Sequence, residues 1–205
     1  MIMSAINKKL VLILAILLAG FATGSFMLYQ SKSLERDIQT AELLYNGFRP
    51  DYNMNVPVNY SFTSWEKDAY PSTDQFTSST EYFINLMTKH IISGANYGLF
   101  ALSGVPPYWG EDPIKFTSTN NAWCIALDYD PKNIPNAPFM FSRNLDISHL
   151  SEAHPSRLRD IEPYGLKGVL VVLANGYAGE AIFIRAEDIE KEFNPLGLTN
   201  AVLRP

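Results

Sequence analysis

Several side chains in this sequence have the type and spacing to do chemistry. Cys124 is the single cysteine of the 205-residue chain. A thiol becomes a nucleophile where positive charge and partial exposure favour its thiolate. In "NNAWCIALD" Cys124 lies between Trp123 and Ile125, a setting that suits a small buried hydrophobe better than a nucleophile. Asp146, His149 and His154 share a polar, proline-punctuated stretch, and a carboxylate with two imidazoles can hold zinc or act as a general base. Their spacing matches no helical ligand motif, so a solvated loop is the expectation. His90 falls on the apolar face of a helical stretch and reads as a core histidine. "DYDPKN" brings Asp128, Asp130 and Asn133 together as candidate calcium ligands, hard oxygens of the kind that ion takes, although any tight turn uses the same residues. No Gly-rich phosphate loop, nucleophile elbow or Cys-x-x-Cys pair occurs in the sequence. The expectation is a non-enzymatic protein with no cofactor beyond that candidate calcium.

Charge and cysteine usage narrow the partners. All 21 acidic residues follow Lys32, whereas removing Lys8, Lys9 and Lys32 from the 16 basic ones leaves 13, so the remainder carries a net −8. Such a surface repels phosphate backbones, and no nucleic-acid partner is expected. One cysteine allows no intramolecular disulfide.

The N-terminal region must position whatever follows it. From Leu10 to Ser31 there is no charge, a run long enough for a bilayer core and longer than a secretory apolar core. Lys8 and Lys9 ahead of the run place the short N-terminus in the cytoplasm. Gly20 and Gly24 form a Gly-x-x-x-Gly pair suited to close helix approach. Next, Leu34, Ile38, Ala41, Tyr45 and Phe48 recur at steps of four and three and draw one apolar seam, while Glu35, Arg36, Asp37, Gln39 and Glu42 lie off it toward water. A continuous helix of roughly 40 residues, about 60 Å long, is the expectation. Alternatives are a signal peptide cut after Ala22 and an anchor joined to a short coiled-coil stalk.

Beyond it, "SSTEYFINLMTKH" reads as a second helix with a capping box from Ser78 to Glu81. "PIKFTSTNNAWCIALDYD" reads as a strand, an Asn120-Asn121 turn and a strand in which Trp123, Ile125 and Leu127 share a face. "APFMFSRN" is a further strand, "KGVLVVLANGYAGEAIFIRAED" a hairpin turning at Asn175-Gly176, and Glu187 to Phe193 a short acidic helix. Tyr108 and Trp109 on a Pro-Pro loop are the candidate partner-facing surface.

A lipid-embedded helix whose amphipathic half packs on a strand-rich head resembles the type IV pilin and type II secretion pseudopilin architecture. "STEYFINLM", "NNAWCIALD" and "PFMFSRNL" resemble segments of a pseudopilin-G-like branch. The resemblance implies an α+β, pilin-like fold in which a long N-terminal helix, membrane half plus amphipathic half, packs on an antiparallel β-sheet. The corresponding boundaries are a cytoplasmic N-terminus over 1–9, a transmembrane segment over 10–31, the amphipathic half over 32–48 and a globular head over 49–205. One departure is plain: the family's Gly-Phe-Thr-Leu-Ile-Glu signature is absent, since Gly20-Phe21 lies in mid-run with no acid after it. The resemblance implies a minor or assembly-associated subunit of a type IV pilus or type II secretion apparatus. Its partners would be the membrane and other pilin-like subunits or assembly proteins. It would sit as a single-pass inner-membrane protein with a periplasmic head, or at the cell surface in a filament. Two other classes remain: an exported, membrane-anchored binding or adhesion module, and a membrane-tethered enzyme.

Overall fold

The computed structural model describes residues 31–45, 71–72, 74–89, 92, 94–128, 136–174 and 179–205. The chain divides into two compact units, Met1–Arg36 and Asp37–Pro205. Of the first, residues 31–36 are described; they are helical, with Ser31, Lys32, Glu35 and Arg36 exposed and Leu34 half-buried.

Three helices are described: α1 over residues 31–45, α2 over Ser79–Thr88 and α3 over Ile189–Glu192. None of them is long and apolar enough to cross a membrane. The expected long N-terminal helix, and with it the pilin-like fold class, is therefore corrected: the described residues form short helices on a five-stranded antiparallel sheet. The physical reason lies in what α1 exposes and buries. Its open face carries Lys32, Glu35, Arg36 and Gln39, which suit water, and within the second unit its inner face carries a buried carboxylate, Asp37, beside Ala41, Leu44 and Tyr45. The transmembrane segment expected over 10–31 lies outside the described residues except for its last position.

The strands are β1 (Trp123–Ala126), β2 (Ala137–Ser142), β3 (Gly168–Ala174), β4 (Gly179–Arg185) and β5 (Val202–Leu203). They lie in the order β4-β3-β2-β1-β5, each pair antiparallel. Alternate side chains serve two different cores. Trp123, Ile125, Leu170, Val172 and Ala181 meet Ala41, Leu44 and Tyr45 of α1 and Tyr82, Phe83, Leu86 and Met87 of α2. Cys124, Ala126, Val169, Val171 and Ile184 meet Leu145, Ile147, Leu150, Ile189 and Phe193 on the other face. Burial of both faces explains why "GVLVVLA" reads as an unbroken apolar run instead of an alternating one. A register shift between Pro138 and Met140 lets β2 turn Phe139 and Met140 toward the first core and Phe141 toward the second.

Local signals behave as their chemistry dictates. Ser78 caps α2 by accepting from the Glu81 N–H, and the Glu81 carboxylate reaches back to Thr77 N–H and hydroxyl, which hold it below the usual carboxylate range. The strand expected at "PIKF" is instead a single 3-10 turn, Pro113–Lys115, because Asp112 turns its carboxylate onto the Ile114 N–H and starts a helical turn. The hairpin turn expected at Asn175-Gly176 lies outside the described residues, although β3 and β4 pair from Gly168↔Arg185 to Ala174↔Gly179 on either side of it.

Candidate functional site

The segments carrying the family resemblance come together in one buried polar joint. Ser79 of α2 donates from its hydroxyl to the Trp123 carbonyl at 2.7 Å. Asn121, fully buried, donates to Ser79 Oγ at 2.9 Å and Thr80 Oγ1 at 3.1 Å, and its Oδ1 accepts from the Trp123 N–H at 2.9 Å. Arg143, just past β2, donates to the carbonyls of Asn121, Ser118 and Glu162. Ser142 and Asn144 finish the joint: Ser142 Oγ donates to Asn144 Oδ1, and Asn144 Nδ2 donates to the carbonyls of Gly165 and Gly168. Buried polar groups of this kind are stable only when satisfied together: Ser79, Thr80 and Asn121 fasten α2 to β1, Arg143 ties the turn before β1 to the end of β2, and Ser142 with Asn144 ties β2 to β3 and the loop before it. The Trp123 indole N–H is the exception, buried with no partner.

The segment 97–116 carries two exposed large hydrophobic side chains, Trp109 and Ile114. Tyr97 and Tyr108 stack at 6.2 Å, Tyr108 meets Phe116 edge-on, and Tyr108 donates from its hydroxyl to the Asp112 carbonyl at 2.6 Å. On this platform Trp109 is 76 % exposed and Ile114 81 %. A Cβ on Gly98 would come within 2.5 Å of the Trp109 ring, so glycine at 98 is what lets the indole lie there. The expected Tyr108–Trp109 pair is thus divided: Tyr108 is half-buried packing, and Trp109 with Ile114 is the open surface. Spacing alone gave Ile114 no signal.

The polar segment after β2 does not gather its titratable groups. Asp146 pairs with Arg159 and Arg204, and those guanidinium hydrogen bonds hold its carboxyl below the usual range. His149 turns to Glu152 and His154 to Ser156 and Glu190. Among the described residues no group of three or more His, Cys, Asp or Glu is arranged to hold a metal ion. Ser156, His154 and Glu190 do line up hydroxyl, imidazole and carboxylate. Nδ1 of His154 already accepts the backbone N–H of Ser156 at 3.0 Å as the cap of the turn Pro155–Arg157, so the lone pair that a general base needs is engaged in structure. Cys124 is wholly buried, and desolvation pushes its thiol up to about 12, far from a nucleophile at neutral pH.

The other expected positions distribute as follows. Ala41 and Tyr45 are buried in the first core and Ile38 packs partly against it. Asp128 is exposed with a left-handed backbone, φ 52°, as a turn residue. Gly20, Gly24, Phe48, His90, Asp130 and Asn133 lie outside the described residues. Asp37, expected in water, is instead only 2 % exposed: it accepts the Ser103 N–H at 3.1 Å and the Tyr164 hydroxyl at 3.0 Å. No family model, curated protein or solved structure matches this chain.

Proposed function

We propose that this chain is a non-enzymatic subunit of pilin-like or pseudopilin-like kind, belonging to a type IV pilus or type II secretion apparatus in a minor or assembly-associated position. The reading rests on the head, not on a long rod. The observation that carries it is the joint of Ser79, Asn121 and Arg143, which uses residues from each of the three resembling phrases at their structurally demanding positions. The residues of these phrases that meet are buried or half-buried and mutually bonded, which supports reading the phrases as structural parts of the head and not as surface likeness. In this reading the protein is held at the inner membrane with its head in the periplasm, or lies at the cell surface, and it works by contacts with sibling subunits or assembly proteins.

The exposed Trp109 and Ile114 favour a second reading, an exported binding or adhesion module in which that apolar pair recognises a ligand outside the machine. Cross-linking the full-length chain in its source cells, followed by mass spectrometry of the adducts, separates the two. Adducts to pilin-like subunits or assembly proteins are expected. Their absence, with adducts confined to unrelated surface or extracellular molecules, overturns the subunit reading.

A further inference from the structure

The two edges of the sheet are finished differently. β5 is bonded on both sides: β1 pairs with it through Ile125↔Leu203 and Ala126↔Val202. Its other side meets the segment after Asp146, where Val202 N–H donates to Ser148, Leu150 N–H donates to Asn200 and His149 bridges Ala201. Among the described residues β4, at the opposite edge, has β3 as its single neighbour along all seven residues.

Which groups of β4 point outward follows from the ladder. The Ala186 N–H donates to the Lys167 carbonyl, and the Leu170 N–H and the Gly168 carbonyl point toward β2. Alternation then turns the backbone of Ile184, Ile182 and Glu180 toward β3, and that of Gly179, Ala181, Phe183 and Arg185 away from it. Among the described residues nothing bonds these outward groups. "GEAIFIR" also lacks the proline, lysine and bulge with which exposed edges are ordinarily blunted.

We propose that β4 is a self-pairing edge, joining two copies of this chain antiparallel about Ile182 so that their sheets run on as one. A two-fold axis perpendicular to a sheet keeps each face on its own side, so residues brought opposite must share parity and the axis must pass midway between one residue and its own copy. Centring on Ile182 overlaps the whole strand. It sets Gly179 opposite Arg185 and Ala181 opposite Phe183, so each small side chain meets a large one, and every outward backbone group finds its complement in the same set. Centring on Phe183 would oppose two phenyl rings and leave Gly179 beyond the pairing. The occupant is therefore a second copy, because the strand is complementary to itself in the one register that uses all of it.

The test is a site-specific cross-link in the full-length chain. Ile182 falls at a non-hydrogen-bonded position of the new pair, where Cα atoms lie about 4.5 Å apart, within disulfide range. Cys124 is buried, so Ile182→Cys adds the one accessible thiol among the described residues. Under mild oxidation Ile182→Cys should form a covalent dimer. Glu180→Cys should not, since the two copies of position 180 would lie roughly 14 Å apart. Arg185 already has φ −68°, so Arg185→Pro fits the strand and removes one outward N–H. Added to Ile182→Cys, it should reduce the cross-link at least about ten-fold while leaving the melting temperature unchanged. The proposal is overturned if Ile182→Cys dimerises no more than Glu180→Cys, as it would in random collision or pairing with another protein's strand. It is equally overturned if Arg185→Pro leaves the cross-link intact.

Discussion

The carboxylate of Asp37 and the hydroxyl of Tyr164, 127 residues apart in sequence, meet at 3.0 Å and tie α1 to the loop before β3. The Ser103 N–H shares the same carboxylate. Removing the buried acceptor leaves its half-buried donors with their desolvation only partly compensated. Asp37→Ala should destabilise the head by about 3 kcal/mol and Tyr164→Phe by about 1 kcal/mol. A double-mutant cycle from denaturant midpoints should return a coupling of about 1 kcal/mol, and a coupling near zero would mean that the bond contributes nothing.

Acid stability should depend on Asp146. Its two arginine partners depress the folded-state pKa below that of the unfolded chain, so its contribution is complete above the ordinary aspartate pKa and is lost as pH falls through the folded value. Asp146→Asn should therefore be less stable than the parent at pH 7. The two unfolding curves should converge as pH is lowered from about 4 toward 2. Curves that stay parallel to pH 2 would exclude this carboxylate as a source of acid sensitivity.

Cys124 should resist iodoacetamide in the folded protein at pH 8 and react fully once the chain is unfolded, because burial both occludes the sulfur and disfavours its thiolate. Intact-mass measurement with and without denaturant reads this directly. Cys124→Ser, which puts a hydroxyl into the second core, should destabilise by about 2 kcal/mol.

Trp109 and Tyr108, adjacent in sequence, should separate in experiment. Trp109→Ala removes an exposed ring and should shift stability by less than about 0.5 kcal/mol while weakening partner capture. Tyr108→Ala dismantles the stack with Tyr97 and Phe116 and should lower the melting temperature by several degrees. Equal stability losses for the two would assign Trp109 to packing.

Local chemistry was legible from sequence wherever a short rule decides the outcome. The Ser78 cap, the shared face of Trp123, Ile125 and Leu127, and the apolar strands β2, β3 and β4 follow from capping and period-two patterning. Long-range pairing was not. Helical spacing set Asp37 off the apolar seam, and only the tertiary arrival of Ser103 and Tyr164 makes its burial affordable. β5 was missed because two strand residues carry no periodicity, and its partners at Ser148 and Ile125 are remote in sequence. Within the candidate surface, exposure distinguishes Trp109 from Tyr108, and exposure depends on Tyr97 and Gly98 arriving beneath them. The expected single rod failed because unbroken helix-compatible sequence fixes neither length nor surroundings; packing partners do.

Residues 200–204 supply the inserted strand, the Arg204 partner of Asp146 and the carbonyl that receives the first N–H of α2. A ribosome delivers them after every other element of the head. During synthesis the nascent head must therefore wait with one side of β1 unpaired and the first N–H of α2 without its acceptor, and a chain released before position 200 would present that raw strand edge to chaperones and proteases.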